Sequence, residues 1–444
     1  MFKSSRSTFS LPGILQPSRK LSGRCGANPD AERARQGKRR KGKPRLIAGL
    51  DIGTTKVCAI TAEVDAEGTI TVLGMGSAPS RGMRRGVVTN INETVEAVEK
   101  AYQQAYKLAR VHPREVLVGI AGDHISGINA EGMIEVANPN TGIDERDCKR
   151  VKIKALRLVL PQDVEVLHSF IKEYVVNDMP GITNPLGQFG QRLQIKMHVV
   201  TSSVAAGNNI FRCIRKAGLK TSSVVLQSLA SSLSVLSARE RELGVALADI
   251  GGGTSDIAIF HNGTLQHIAE IAMGGDIITQ DVAKILRCTP HDAENLKKKF
   301  GHAVPLEVDI DERIELPSPA MGQKRQIRSR RELAEIIEAR VEELFLDVQK
   351  QIARSGMADR IYAGVVLTGG TALLEGIESV AERILGFPAR IGKPQGLLGM
   401  SGVVSTPIYS TAVGLIRWAV EEGPGFQREP WYIKKLKEVF DLYG

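Results

Sequence analysis

The chain has 444 residues, of which 42% are hydrophobic and 24% charged, and its formal net charge is +10. This length allows two or more domains with ordinary hydrophobic cores, and no apolar run approaches the ~18 residues of a membrane-spanning helix. The five cysteines stand far apart without a Cys-x-x-Cys pair and the histidines lack metal-ligand spacing, so we expect neither a zinc site nor a disulfide framework.

The excess of positive charge lies entirely in residues 1–44, which hold 12 Lys/Arg and 2 Asp/Glu, whereas the remainder balances 47 against 47. This stretch is rich in Ser, Pro, Gly and Arg, so we interpret it as a disordered basic tail. The composition favours a solvated extension, or a translation start placed too early, over an arm that binds anionic lipid or nucleic acid. Pro12 and Gly13 interrupt the apolar stretch 9–15, so no signal peptide is predicted and we expect a cytoplasmic chain.

A glycine-rich motif follows the tail, where residues 50–56 have the sequence LDIGTTK. Apolar runs at 46–50 and 57–64 flank it, which predicts the turn of a β-hairpin. Glycine in such a turn lets backbone N–H groups approach an anion, and the Asp that ends the first strand can hold a metal or a water. The sequence then predicts a strand at 69–73, a helix at 92–110 and a strand at 115–121.

Residues 121–201 form an insert with a helix-like segment at 146–158 and a strand at 194–200, which is enough for a small subdomain. A second glycine motif follows, ADIGGGTSD at 248–256, again between apolar runs. A strand at 264–273 and a helix at 277–286 succeed it. The same unit therefore appears twice, which predicts two lobes that grip one phosphate chain.

A second insert spans 288–359, with helices predicted at 292–300 and 331–353 and a breaker-rich connection at 307–326. Beyond it, residues 363–371 have the sequence AGVVLTGGT, an apolar strand that ends in a paired-glycine turn, and a helix is predicted at 374–385. A backbone glycine face of this kind can accept a flat base or a ribose.

The C-terminal segment 431–443 places apolar residues on one helical face and lysines near its polar edge. This pattern favours an interfacial helix that buries aromatic and aliphatic side chains in a membrane over a helix docked on the domain. Glu438 and Asp441 dilute the basic charge, so several helices in one filament would have to act together. The predicted membrane contacts are Trp431, Ile433, Lys434, Lys435, Leu436 and Phe440.

The three glycine motifs, in this order, resemble the signature of the superfamily of actin, DnaK-type chaperones and sugar kinases. The resemblance implies an α/β chain with the actin-like ATPase fold, built from two duplicated RNase-H-like lobes, with ATP and Mg²⁺ as cofactors. It implies that Asp51 and Asp249 orient hydrated magnesium through water, and that Gln227 orients an attacking water for weak hydrolysis. The implied nucleotide contacts are Gly53, Thr54, Thr55, Lys56, Gly251, Gly252, Gly253, Thr254, Gly274, Gly275, Glu294, Lys297, Lys298, Gly369 and Gly370. For Glu294, Lys297 and Lys298 a solvated charged face is the alternative.

Four further segments, SRGM at 80–83, AGDHIS at 121–126, RELG at 241–244 and YSTAVGL at 409–415, closely resemble FtsA, the family of bacterial cell-division actin homologues. The similarity covers roughly residues 45–443 and implies subdomains 1A, 1C, 2A and 2B. The implied boundaries are 45–120 with 202–227 and 406–420 for 1A, 121–201 for 1C, 228–287 with 360–405 for 2A, 288–359 for 2B, a linker at 421–430 and the membrane helix at 431–443.

The resemblance implies a protein that polymerises and tethers the FtsZ ring to the cytoplasmic side of the cell membrane at the division site. Its implied partners are the C-terminal peptide of FtsZ, further copies of the chain, anionic membrane lipid and other divisome proteins, with no nucleic acid expected. Arg340 resembles a position in the peptide-binding surface of 2B, although a solvated helix charge is the alternative. Two other functions remain open from sequence: a PilM-like adaptor and a small-molecule kinase of the same superfamily.

Overall fold

The computed structural model describes residues 44–113, 115–157, 161–316 and 326–421. The predicted basic tail, except Pro44, and the predicted membrane helix with most of its linker lie outside these residues. The first part of the fold contains β1 (Arg45–Ile52), β2 (Lys56–Val64), β3 (Ile70–Pro79), a short hairpin of β4 (Met83–Arg84) and β5 (Val87–Val88), α1 (Ile91–Ala109) and β6 (Glu115–Ile120).

An insert then interrupts the first lobe and forms its own antiparallel sheet, in the order β7-β10-β8-β9. Val151 and Ala155 are buried on its helix, and a capping box between Asp144 and Asp147 starts that helix. The insert comprises β7 (Ser126–Glu135), α2 (Glu145–Leu156), β8 (Val164–Val176), β9 (Met179–Ile182) and β10 (Arg192–Ser203).

The chain returns to the first lobe through α3 (Val204–Lys216) and β11 (Lys220–Leu226), and then passes to the second lobe through α4 (Gln227–Val235) and α5 (Ala238–Leu243). The second lobe begins with β12 (Val245–Ile250), β13 (Ser255–His261) and β14 (Thr264–Ile271), followed by α6 (Gly275–Leu286) and α7 (Pro290–Phe300). Both glycine motifs therefore lie in the turns of antiparallel hairpins, as predicted.

The second insert contains a hairpin of β15 (Arg313–Leu316) and β16 (Gln326–Ser329) and the long helix α8 (Arg330–Arg354). The breaker-rich connection at 307–326 thus contains β15 and ends where β16 begins, and the sequence pattern did not show either strand. On α8, which includes the predicted helix at 331–353, an apolar stripe faces the core, with Leu333, Ile337, Leu344 and Val348 buried.

The remaining elements complete both sheets: β17 (Val365–Thr368), α9 (Ile377–Leu385), β18 (Ala389–Ile391), β19 (Leu397–Gly399), α10 (Ser401–Val404) and α11 (Ser410–Glu421). The first sheet has the order β11-β6-β1-β2-β3-β19 and the second has the order β14-β13-β12-β17-β18. In each, three antiparallel strands continue on one side into two parallel strands, so the predicted duplication is confirmed.

Helices α4 and α11 pack against each other beside the two sheets. Their backbones approach closely, because a Cβ built on Gly414 would lie 1.8 Å from the carbonyl oxygen of Ala230. Helix α11 also packs on β1 and β6 of the first sheet, whereas α4 leads along the chain from the first sheet to the second. This pair of helices therefore lies where both lobes meet.

Candidate nucleotide site

The two glycine-rich hairpin turns contact each other. Each has the same internal hydrogen bond, in which the N–H of Gly53 donates to Lys56 O and the N–H of Gly251 donates to Thr254 O, both at 2.9 Å. A Cβ built on Gly252 would lie 2.2 Å from Cγ2 of Thr55. Glycine at this position therefore allows the turns of the two lobes to come together.

Asp51 and Asp249 occupy equivalent places on β1 and β12 and are buried, with 6% and 8% of their surface exposed. Burial raises the pKa of Asp249 to about 6, and the neighbouring charge of Asp51 adds to this effect. Burial also raises the pKa of Asp51, although the ammonium group of Lys56 opposes that rise. Two close, desolvated carboxylates fit a hydrated Mg²⁺ ion, since a cation would relieve their repulsion and hard cations prefer oxygen ligands.

The side chain of Lys56 is held by groups of the protein itself. Its Nζ donates to the carbonyl oxygen of Ile408 at 2.7 Å, lies 3.7 Å from Oδ2 of Asp51 and sits over the Tyr409 ring. The implied contact between Lys56 and phosphate therefore stays a prediction, and these bonds would have to be shared or exchanged.

The two oxygen atoms of Asp249 have different surroundings. Oδ2 accepts hydrogen bonds from Ser231 Oγ at 2.5 Å and from Thr411 Oγ1 at 3.4 Å. Oδ1 lies toward Gly369, where a Cβ would stand 2.5 Å from it and where the backbone has a φ of +87°. Ser231 and Thr411 are not among the site residues predicted from sequence, although Thr411 lies in one of the segments that carry the family resemblance.

A row of carboxylates continues from Asp249 across the second sheet. Asp249 pairs in register with Asp256, and Asp256 pairs with Glu270. Burial, with the charge of Glu270, raises the pKa of Asp256, and burial raises the pKa of Glu270 to about 8. Oε2 of Glu270 accepts the N–H of Gly122 at 2.8 Å, which joins the second lobe to the start of the first insert. Sequence reasoning missed this row, because only the strand register aligns the three residues.

The second turn is bound to the start of α6 and to the third glycine motif. The N–H groups of Gly275 and Asp276 donate to the carbonyl oxygens of Gly251 and Gly252, at 3.0 and 2.8 Å. Thr371 Oγ1 also donates to Gly251 O at 2.8 Å. Because these hydrogen bonds join the second turn to both segments, the turn, the start of α6 and the Gly369-Gly370 turn form one connected surface.

The charged residues of α7 also reach this surface. Nζ of Lys297 donates to Gly275 O at 2.8 Å and to Thr279 Oγ1 at 2.7 Å, and it pairs with Glu294 at 2.6 Å. Only 11% of the Lys297 side chain is exposed, whereas Lys298, which pairs with the same carboxylate at 3.0 Å, is 70% exposed. The structure thus brings Glu294 and Lys297 together beside Gly275 and leaves Lys298 at the rim.

Gln227, the first residue of α4, lies above β6. A Cβ built on Gly119 would be 3.0 Å from Cγ of Gln227 and 3.4 Å from Cγ2 of Thr411. Because Thr411 bonds to Asp249, Gln227 is on the same side of the molecule as the paired carboxylates. The structure therefore places it near the residues that it would assist.

Arg340 lies on α8, away from the glycine turns. Its Nε pairs with Asp281 of α6 at 2.6 Å and its Nη1 pairs with Glu343 at 2.5 Å, with 25% of the side chain exposed. The bond to Asp281 connects the second insert to the second lobe, whereas Glu343 lies on α8 itself. A peptide carboxylate at this residue would therefore have to compete with Asp281 and Glu343.

Two further observations bear on binding in the described ranges. None of the helices described here is both long and apolar enough to cross a membrane. In the same residues, no group of three or more His, Cys, Asp or Glu side chains is arranged to hold a metal directly.

Comparison with known proteins identifies two matching family models: "Cell division protein FtsA" at residues 246–414, and "SHS2 domain inserted in FTSA" at residues 122–201. The cell division protein FtsA of Pseudomonas aeruginosa is 42% identical over 85% of this chain and 90% of its own length. The Escherichia coli K12 protein of the same name is 37% identical over 85% and 91%. The Bacillus subtilis protein is 35% identical over 84% and 83%.

Solved structures with the same fold are more distant in sequence. The PilM–PilN type IV pilus biogenesis complex contains a chain that matches with a TM-score of 0.61 and 15% identity, covering 84% of this chain and 98% of that one. MreB5 of Spiroplasma citri bound to ADP matches with a TM-score of 0.51 and 15% identity, covering 85% and 99%. With the duplicated sheets, these matches confirm the predicted actin-like fold.

Proposed function

Because the chain belongs to the FtsA family of cell division proteins, we propose that it binds ATP, polymerises, and tethers the FtsZ ring to the cytoplasmic membrane. The observation that carries the ATP-binding part is the meeting of two equivalent glycine turns, each preceded by a buried aspartate. A phosphate chain between these turns would be held by backbone N–H groups from both lobes.

In this proposal Mg²⁺ neutralises charge on the phosphates when it is bound. Asp51 and Asp249 orient its water ligands, the start of α6 stabilises negative charge, and Gln227 orients a water near the phosphates. Glu294 and Lys297 stiffen the nucleoside side of the site through the bonds of Lys297 to α6. The expected hydrolysis is weak, and the water-orienting group that we assign to it among the described residues is the amide of Gln227.

Binding of ATP is tested by isothermal titration calorimetry with MgCl₂ on the wild-type chain and on Gly251→Arg. A Cβ on Gly251 meets only the backbone oxygen of Thr254, at 3.0 Å, so the long side chain would enter the site and not the core. We expect loss of ATP binding with a retained thermal transition. Gly402→Arg is the control, because residue 402 has open space around it. Unchanged binding by Gly251→Arg would count against the site.

Attachment to membrane is proposed from the amphipathic pattern of residues 431–443, which lie outside the described part of the chain. Sedimentation with anionic liposomes, with and without ATP, compares the full chain with a chain truncated after Glu422. We expect ATP-enhanced pelleting that the truncation abolishes, because polymerisation would join many weak membrane helices. Unchanged pelleting of the truncated chain would contradict the role of residues 431–443 and would point to membrane binding by the basic tail at residues 1–44.

Binding of the FtsZ C-terminal peptide is proposed for the second insert, with Arg340 as one contact. Fluorescence anisotropy of a labelled FtsZ tail peptide compares the wild type with Arg340→Ala and with Lys350→Ala. Lys350 is a suitable control, because it lies on the same helix and also forms an ion pair, with Asp347 at 2.8 Å. We expect weaker binding only for Arg340→Ala. An equal effect of both substitutions would indicate general electrostatics of α8.

The two alternatives from sequence receive less support. The likeness to the pilus complex shows the fold alone, since the identity is 15%. A kinase would need a catalytic carboxylate that faces a substrate pocket between the lobes, and we assign none among the described residues.

A further inference from the structure

We propose that Ser231 and Thr411 are positioning residues, which hold the carboxylate of Asp249 so that one oxygen is fixed and the other can meet magnesium-bound water. This inference rests on the proposed function, because it concerns how the same site holds its metal. Neither residue contacts nucleotide in this proposal; both act through Asp249.

Ser231 and Thr411 each have one hydroxyl proton, which limits the hydrogen bonds that they can donate at the same time. Ser231 has a single hydroxyl proton, and its Oγ lies 2.5 Å from Oδ2 of Asp249, so that proton is donated to the carboxylate. Thr411 Oγ1 lies 3.0 Å from Ser231 Oγ and 3.4 Å from the same Oδ2. Its proton can therefore go to Ser231 or to Asp249, and either choice supports the charged form of the carboxylate.

The two hydroxyl groups that bond to Asp249 lie on different helices, so their hydrogen bonds connect the two lobes. Asp249 is on β12 of the second lobe, whereas Thr411 lies in the first turn of α11, which packs on the first sheet. Ser231 is on α4, the helix that leads from one sheet to the other. The orientation of the carboxylate is thus fixed by both helices at the meeting point of the lobes.

Further buried hydroxyls hold these helices in register. Ser234 Oγ donates to the carbonyl oxygen of Ser410 at 2.8 Å, and Ser410 Oγ lies 2.6 Å from Thr368 Oγ1. Thr368 donates in turn to Gly392 O at 3.0 Å. Asp249 Oδ2 therefore lies beside further buried hydroxyl groups at the contact between α4 and α11, while Oδ1 faces the Gly369 turn.

Helix α4 offers a matched control in the next residue. Ser231 and Ser232 are both fully buried, at 0% exposure. Ser232 Oγ donates to Leu229 O of its own helix at 2.6 Å and has no bond to Asp249. Ser231→Ala and Ser232→Ala therefore remove the same atom from equally buried places, but only the first removes a donor to the carboxylate.

The experiment measures ATP affinity of the full chain by calorimetry over a series of MgCl₂ concentrations and in EDTA. For Ser231→Ala we expect the Mg²⁺ concentration at half-maximal effect to rise about tenfold, as for loss of a hydrogen bond to a charged group, with unchanged affinity in EDTA. Ser232→Ala should match the wild type. Thr411→Val should shift the Mg²⁺ requirement in the same direction by less, and Thr411→Ser should restore it.

The outcomes separate this inference from the proposed function. If the wild-type chain binds no ATP, the proposed function fails before any variant is compared. If it binds ATP with no Mg²⁺ dependence, or if Ser231→Ala equals Ser232→Ala, the role of Ser231 is overturned while ATP binding stands. Equal losses with and without Mg²⁺ would also overturn it, since they indicate a structural role. Circular dichroism checks folding, and if Ser231→Ala does not fold, Thr411→Val against Thr411→Ser decides the result.

Discussion

At the scale of single residues, the candidate site combines charges that oppose one another with hydroxyls that hold them in place. Asp51 and Asp249 are buried close together, and each lies at the end of a strand that precedes a glycine turn. The charge of Lys56 offsets part of the free-energy cost of burying the ionised Asp51 carboxylate. The hydrogen bond from Ser231 does the same for Asp249. This arrangement favours cation binding, because a bound cation would replace the repulsion between the two carboxylates with attraction to the ion.

Gly369 is a residue at which one methyl group would damage the site. Its φ is +87°, and an added Cβ would lie 2.5 Å from Oδ1 of Asp249. We expect Gly369→Ala to weaken Mg²⁺-dependent ATP binding at least tenfold and to destabilise the chain by about 1–3 kcal/mol. Calorimetry and urea denaturation measure the two effects.

The adjacent glycine provides the control for this prediction. A Cβ on Gly370 has nothing within 4 Å, and its φ of −67° suits any residue. Gly370→Ala should therefore unfold as the wild type does, so it is the control for the effect on stability. If both substitutions have the same effect, close approach at Gly369 is not the cause.

Glu270 should make stability depend on pH in the absence of nucleotide. Its pKa is raised by burial from 4.5 to about 8, so the folded chain binds a proton that the unfolded chain releases. The free energy of unfolding should therefore fall as the pH rises from about 4.5 to about 8. In Glu270→Gln this fall should be smaller, because the amide does not titrate. Urea denaturation at several pH values measures it, with the exposed Glu67→Gln expected to follow the wild type; an identical slope for Glu270→Gln would contradict the assignment.

At the scale of elements, the close packing of α4 against α11 depends on the absence of a side chain at Gly414. A Cβ on Gly414 would lie 1.8 Å from Ala230 O, so Gly414→Ala must push the helices apart. We expect a loss of stability of about 2 kcal/mol or more and weaker Mg²⁺-dependent ATP binding, because Thr411 moves with α11.

Thermal unfolding and calorimetry check the prediction for Gly414. Gly402→Ala, in the neighbouring helix α10, is the control, since residue 402 has open space around it. A Gly414→Ala chain with unchanged unfolding temperature would show that the helices can adjust at no cost.

At the scale of the whole molecule, the fold repeats one sheet pattern so that two similar turns face each other. Gly252 of one turn lies against Thr55 of the other, where an added Cβ would stand 2.2 Å from Cγ2. We expect Gly252→Ala to separate the turns and to weaken ATP binding about tenfold. Thr55→Ser removes the offending methyl group, so it should restore much of the loss in the double variant.

A double-mutant cycle of these two residues tests whether the lobes contact each other in solution. Coupling of about 1 kcal/mol or more in the free energy of ATP binding is expected, as for residues in direct contact. Additive effects would mean that the turns do not touch in the form that binds nucleotide.

The sequence by itself determined the hairpins around the first two glycine motifs and the duplicated plan. Glycine turns between apolar runs predict hairpins because backbone geometry and alternating burial are local properties, and both hairpins are found where the pattern placed them. The same locality explains the omissions: β7 and β8 of the first insert, and the β15–β16 hairpin, were not predicted, since polar and glycine residues interrupt their apolar patterns.

The tertiary structure alone decided which side chains act on one another. Ser231, Asp249 and Thr411 are far apart in sequence, and only the crossing of α4 and α11 beside β12 brings their oxygen atoms together. The carboxylate row through Asp256 and Glu270 likewise depends on strand register. The sequence names the residues with suitable chemistry, whereas distance, burial and hydrogen-bond direction depend on packing between segments that no local pattern specifies.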